Sequence, residues 1–217
     1  MPLYILCACE ESQRVCAAFR MHGHEAYSCD IQDQTGGMPQ WHIKADVLPL
    51  LSGPARFFTC DGQYHVINKW DMIIAFPPCT HLCVTGNRWF TEGRKPYSLR
   101  FEAVAFFYKF VMADCDKIAI ENPIGVMSTA YRKPDQIIHP YMFGDPVQKA
   151  TYLWLKGLPK LVETNNVKDQ VKFHTLPDGR RMTEWYYKAW SDPKRRAEIR
   201  SKTFPGIAEA MANQWSI

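Results

Sequence analysis

Short runs of consecutive apolar residues, each closed by a polar or turn-forming residue, recur at residues 3–8, 25–29, 71–76, 117–120 and 151–155. Runs of this kind read as strands buried on both faces, the pattern of a parallel sheet rather than of an alternating, half-wet one. Between the first two, Val15, Ala18, Phe19 and His22 share one face of a helical pattern that Gly23 closes. The chain therefore opens as a β-α-β unit whose second strand ends at Asp30, a carboxylate about 20 residues after the first strand and suited to ribose hydroxyls. Residues 31–41 predict a polar loop, and 42–47 a short third strand that delivers Asp46. Asp61-Gly62 between 57–60 and 63–67 is a hairpin signal. The clearest helix spans 98–114, with Leu99, Ala103, Phe106, Phe107, Phe110 and Val111 at helical spacing. Residues 80–97 predict a mobile loop, 122–146 and 156–200 irregular segments, and 204–215 a short amphipathic helix. The expected fold class is α/β, an open sheet with helices on both faces.

Ligands of an open α/β sheet bind at the carboxyl ends of its strands, near the switch point. Two of the predicted strands lead into reactive groups there: Phe76-Pro77-Pro78-Cys79 and Glu121-Asn122-Pro123. A cysteine and a glutamate at adjacent strand ends suggest a thiolate nucleophile and a carboxyl acid acting on one substrate.

Composition narrows the setting. The 217 residues are 47% hydrophobic and 13% aromatic, enough for a real core in one domain with a small insertion. No apolar run approaches the roughly 18 residues that span a bilayer, so no membrane partner is expected. Met1-Pro2-Leu3-Tyr4 lacks a basic region and reads as a first strand, which predicts a cytoplasmic protein. The eight cysteines form no C-x-x-C pair, so neither a disulfide framework nor a metal site is expected; Cys60, His65, Cys79, His81 and Cys83 match no usual zinc spacing. Charge is uneven: residues 156–202 carry twelve Lys and Arg against six Asp and Glu, whereas the whole chain has a net charge of only +4. Such a basic segment beside a site suits a polyanion. Within it Trp185, Tyr186, Tyr187 and Trp190 are placed to stack on bases.

In order and spacing these pieces resemble the S-adenosylmethionine-dependent DNA cytosine-5 methyltransferases, and most closely their short phage-type members. Leu6-Cys7-Ala8-Cys9-Glu10-Glu11-Ser12 stands where that family has its first cofactor loop, Asp30 at its ribose acid and Asp46-Val47 at its adenine-contacting pair. Pro77-Pro78-Cys79 matches the nucleophile motif and Glu121-Asn122-Pro123 resembles the acid motif. Gln148-Lys149-Ala150-Thr151 resembles the Gln-x-Arg-x-Arg strand with lysine for the first arginine, and Thr203-Phe204-Pro205-Gly206 resembles the last motif, which packs back beside the first strand. The first loop departs from the family in lacking glycine, the recognition segment is short, and Arg200, Ser201 or Lys202 falls near the place of a final asparagine.

The resemblance implies a Rossmann-like methyltransferase core over 1–155, a basic substrate segment over 156–200 and a C-terminal helix over 201–217 that returns to the core. It implies Cys79, Glu121 and Lys149 as catalytic residues. The implied cofactor residues are Ala8, Cys9, Glu10, Ser12, Asp30, Ile31, Asp46, Val47, Pro78 and Lys202, holding S-adenosylmethionine or a carboxylated form of it. The implied substrate residues are Pro77, Asn122, Gln148, Thr151, Arg180 and Arg181, with Arg195 and Arg196 adding to the grip on phosphates. The expected partner is cytosine-containing DNA, in a host cytoplasm if the gene is a phage's. Two rival expectations stand beside it: the same chemistry on a free cytidine nucleotide, and a nucleic-acid-binding relative without activity. Cys83 is expected to pack rather than react.

Overall fold

The computed structural model describes residues 1–192 and 196–216, with backbone alone over 196–198. In chain order its elements are β1 (Tyr4–Ala8), α1 (Arg14–Met21), β2 (Glu25–Asp30), β3 (His42–Lys44), β4 (Ala55–Phe58), β5 (Tyr64–Ile67) and β6 (Met72–Ala75). They continue with α2 (Asn87–Thr91), α3 (Ser98–Val111), β7 (Ile118–Asn122), α4 (Met127–Ala130), β8 (Gln136–Ile138) and β9 (Thr151–Lys156). The C-terminal part adds β10 (Phe173–Thr175), β11 (Arg181–Thr183), α5 (Glu184–Ser191), α6 (Arg196–Ser201) and α7 (Pro205–Trp215). A seven-stranded sheet in the order β3-β2-β1-β6-β7-β9-β8 forms the centre. Strands β3, β2, β1, β6 and β7 are parallel; β9 runs antiparallel to both β7 and β8. The fold class is the α/β, Rossmann-like one expected.

Alternation along each strand explains the unbroken apolar runs. Leu6 and Ala8 of β1, Ile73 and Ala75 of β6, and Ile118 and Ile120 of β7 face one core, shared with Phe107 and Phe110 of α3 and the β4–β5 hairpin. Ile5 and Cys7, Met72 and Ile74, and Ala119 face the other, against Val15 and Phe19 of α1 and Ile207, Met211 and Trp215 of α7. Both faces are packed against cores, so apolar residues occupy both parities over these stretches. Helix α7 thus returns beside the first strand, tied by Arg14 Nη1 donating to the Thr203 carbonyl at 2.6 Å and by Trp215 Nε1 donating to the Pro159 carbonyl at 3.0 Å. Its entry is sterically fixed: a Cβ at Gly206 would lie 1.8 Å from the Phe143 carbonyl oxygen.

Several local expectations change. Residues 80–97 are not a loose loop: they carry a 3-10 turn (Val84–Gly86) and α2. Phe90 is buried there under Arg100, whose guanidinium lies 4.0 Å from the ring centre and also reaches the His81 carbonyl and Asn87 Oδ1. The third strand stops at Lys44, because Asp46 Oδ1 accepts from the Leu48 N–H at 3.0 Å and turns the chain. Segments read as irregular contain α4 and β8 in the first case and the β10–β11 hairpin and α5 in the second. Among the described residues no helix is long and apolar enough to cross a membrane.

Candidate active site

Strand order reverses between β1 and β6, so the loops after these two strands flank the switch point. The loop after β6 carries Pro77-Pro78-Cys79. It is joined to the end of β7 by Asn122 Nδ2, which donates to the Pro77 carbonyl at 2.8 Å. A second tie is purely backbone: Val84 donates to Ile124, Val126 donates to Leu82, and Cys83 bridges Gly125. This close approach requires glycine, since a Cβ at Gly125 would sit 2.1 Å from the Leu82 carbonyl oxygen. Pro77 and Asn122 are therefore buried joints, and the Asn122 Oδ1 is left without a partner.

Lys149 arrives from a different direction. Because β9 is antiparallel to β7, pairing Asn122 with Tyr152, the residues just before β9 lie beside the end of β7. That brings the Lys149 ammonium under the influence of both Glu121 and Cys79. The ammonium is held by the Arg200 carbonyl, 3.1 Å from Nζ. Burial raises the Glu121 carboxyl above its ordinary value, and Lys149 opposes that rise. A cavity of about 400 Å³ opens here, lined by Cys79, Cys83, Val84, Thr85, Pro123, Ile124, Gln148, Lys149, Ala150, Met182, Thr183, Trp185, Tyr186 and Arg200. Thr151 is buried at the start of β9. The Cys79 sulfur and the Lys149 ammonium thus line a space of ligand size, with the buried Glu121 carboxyl, raised above its ordinary value, near both; the set is suited to covalent addition with acid assistance.

The β1 side is built differently. Glu10 is 3% exposed; its two carboxylate oxygens accept from the Val15 and Cys16 N–H groups at 2.6 and 3.1 Å, at the start of α1. Burial lifts its carboxyl to about 8 against the pull of those N–H groups. Ser12 is buried, as are Ala8 and Val47, both within the α3-side core. Cys9 and Gln13 have φ of 59° and 57°, so the loop keeps a left-handed, glycine-like backbone without glycine. Gln13 then uses both ends of its amide on the Met38 backbone.

What remains open lies at the ends of β2 and β3. Asp30 is half-buried, its Oδ1 accepting from the Gln32 N–H at 2.9 Å. Asp46 and Pro78 are exposed, and Ile31 is 75% exposed. The Cys9 thiol is pushed up by burial and by the neighbouring charges of Asp30 and Asp46, which places these groups around one point. Glu11 joins them: burial and then Asp30 raise its carboxyl, and Lys202 lowers it.

Arg180 and Arg181 stand on the exposed β10–β11 hairpin, Arg180 paired with Asp178 and Arg181 over the Phe173 ring at 4.7 Å. Arg195 and the Arg196 side chain lie outside the described residues. The sequence reading missed Met182, Thr183 and Ile124 as cavity walls, and took Cys83 for packing although it lines the cavity. The available signal was spacing: four residues after Cys79, on a chain just turned by two prolines, a second thiol falls one turn away. Among the described residues no three His, Cys, Asp or Glu side chains gather as a metal site would need.

No protein-family model matches the chain, and no curated protein matches it. Among solved structures it is similar to a prophage-encoded E. coli protein described as a candidate DNA modification methyltransferase. That similarity has a TM-score of 0.46 and 16% identity, and it covers 91% of this chain and 69% of the other.

Proposed function

We propose that the chain transfers a methyl group from S-adenosylmethionine to carbon-5 of cytosine in DNA through a covalent adduct of Cys79. The observation that carries this reading is that Cys79 and Lys149 line one cavity with the buried Glu121 near both, the three coming from separate strand ends. Carbon-5 of cytosine is too weak a nucleophile to accept a methyl group unaided. Addition of the Cys79 sulfur at carbon-6 moves the ring electrons onto carbon-5 and toward nitrogen-3. Glu121, whose carboxyl burial raises toward the acid form, donates to nitrogen-3 and recognises cytosine by that edge. Lys149, anchored on the Arg200 carbonyl, holds the exocyclic oxygen. Loss of the carbon-5 proton then lets the sulfur leave.

The open groups at the β2 and β3 ends fit an adenosine moiety: two carboxylates for hydroxyl and amine donors, and an exposed apolar Ile31 for a ring face. Asp30, Ile31, Asp46 and Pro78 would hold the cofactor, with the Cys9 backbone beneath it. S-adenosylmethionine, when bound, supplies an electrophilic methyl group. The base must leave a duplex to reach Cys79, and Trp185 and Tyr186 on the cavity wall offer faces for it to stack on.

The test is incubation with a 5-fluorocytosine oligonucleotide and S-adenosylmethionine, because fluorine at carbon-5 blocks release of the sulfur. A covalent protein–DNA species mapping to the Cys79 peptide is expected. No adduct on single- or double-stranded oligonucleotide, with adduct on 5-fluorodeoxycytidine monophosphate, would move the substrate to the free nucleotide. No adduct on either rejects the covalent mechanism.

A further inference from the structure

Two cations of the core hold the chain between α6 and α7 in place. Lys149 Nζ donates to the Arg200 carbonyl at 3.1 Å, and Arg14 Nη1 donates to the Thr203 carbonyl at 2.6 Å. The first of these carbonyls belongs to the last turn of α6, where intrahelical donors run out and an ammonium is a favourable partner. Pinned in this way, Arg200 forms part of the cavity wall. Its guanidinium carbon lies 5.3 Å from the centre of the Tyr186 ring, which lines the same cavity. A guanidinium over a ring face keeps its in-plane N–H donors for other acceptors. Tyr186 is fixed in turn, because its N–H donates at 3.3 Å to Thr183 Oγ1, the cap of α5.

The charge of this wall is one-sided. Lys149 and Arg200 line it and no carboxylate does; among the described residues no Asp or Glu forms an ion pair with Arg200. A cytosine ring is neutral, and the Lys149 ammonium already serves its exocyclic oxygen. The base therefore leaves the second cation unused, and a space of about 400 Å³ has room for more than one pyrimidine ring. We propose that Arg200 binds the phosphate of the target nucleotide, its planar fork taking two phosphate oxygens while its face rests on Tyr186. The site then recognises a nucleotide rather than a base or a nucleoside. Since the Arg200 backbone is tied to the Lys149 ammonium, one short unit holds both ends of that nucleotide. That the base is cytosine rests on the reading above; the anion at Arg200 does not. A phosphodiester of DNA and the phosphate of a free nucleotide share this chemistry, and the experiment separates them.

The test is binding, which needs no turnover. Calorimetry on the full-length protein measures affinity for a trideoxynucleotide with cytosine between two thymines. Each of its two phosphates is replaced in turn by an uncharged methylphosphonate. At one of the two positions the replacement should weaken wild-type binding about tenfold, the loss expected for a charge-assisted hydrogen bond. Arg200→Ala should bind the unmodified trinucleotide about tenfold more weakly and no longer respond to that replacement. Arg200→Lys keeps the charge without the fork, so it should retain part of the response; it also serves if the alanine variant does not fold. The second arm compares deoxycytidine monophosphate with deoxycytidine. An Arg200-dependent preference of about tenfold for the monophosphate, with no response in the trinucleotide, assigns Arg200 to the phosphate of a free nucleotide. A methylphosphonate response and a monophosphate preference that both persist in Arg200→Ala overturn the proposal. So does a wild-type protein that binds neither the trinucleotide nor the monophosphate. A full Arg200-dependent response with thymine in the central position, together with no adduct on the 5-fluorocytosine oligonucleotide, rejects the cytosine reading and supports the phosphate site.

Discussion

Two loops flank the switch point of this sheet, one after β1 and one after β6, and they treat their polar side chains in opposite ways. After β1, the Glu10 carboxylate caps the start of α1, the Gln13 amide pairs with the Met38 backbone, and Cys9 and Gln13 hold the left-handed turns. Those side chains complete the backbone's own hydrogen bonds. After β6, the joints between loops are made by backbone and by Asn122, while Cys79, Cys83 and Lys149 border an open cavity with the buried Glu121 carboxyl beside Lys149. Sequence position at a strand end is therefore a weak guide to role. A polar group consumed by backbone donors is architecture; one held in place yet left facing space and other titratable groups is available for chemistry.

The sharpest way to break this comparison is at the β6 loop. Cys79→Ser should lower turnover on the order of a thousandfold or more while leaving the fold and cofactor affinity intact, since a hydroxyl is a far weaker nucleophile. Glu121→Gln should cost about 100- to 10,000-fold, because an amide cannot serve as an acid. Nucleoside mass spectrometry of modified DNA reads both. Turnover by Cys79→Ser within tenfold of wild type would remove the nucleophile.

The β1 loop should answer in stability instead. Glu10→Ala leaves the Val15 and Cys16 N–H groups unpaired and should cost about 2–4 kcal/mol in urea unfolding. The sign of its pH dependence follows from burial, which lifts Glu10 to about 8 from an ordinary carboxylate value. Its proton-linked stability is complete below about pH 4.5 and is lost as pH rises through about 8, so the gap between wild type and variant should narrow across that window. A wild-type protein no more stable than Glu10→Ala at acid pH would return Glu10 to the ligand-binding groups.

Asp30→Ala tests the open end of β2, with an expected loss of about 1–3 kcal/mol in S-adenosylmethionine affinity by calorimetry and little change in unfolding. Unchanged affinity in a folded variant would take Asp30 out of the cofactor site. The smallest expected effect is at the hairpin. Arg180→Ala with Arg181→Ala should weaken DNA binding uniformly across sequences and reduce the slope of log affinity against log salt by about 1 to 2. The Arg180–Asp178 pair sets the lower end of that range, and an unchanged slope would place the DNA elsewhere.

The sequence by itself determined the sheet and which of its strand ends carry reactive groups. Apolar runs at both parities required strands buried on two faces, and the helical spacing from Val15 and from Phe106 supplied their covers. The order of Asp30, Cys79, Glu121 and Lys149 along the chain was legible for the same reason: each lies within or next to a buried strand, and strand ends gather where an open sheet binds ligands. Tertiary structure decided which of these groups are free. Nothing in Cys9-Glu10-Glu11-Ser12 announces that the second residue turns inward to α1, because its partners are N–H groups that exist only once the helix starts. Likewise Lys149 comes near Glu121 only because β9 runs antiparallel to β7, and Cys83 shares the cavity of Cys79 only because the 79–83 turn closes against Gly125. Local pattern fixes which faces are dry, a property of neighbours in the chain; the pairing of charges is fixed by strand direction and loop closure, which no local pattern carries.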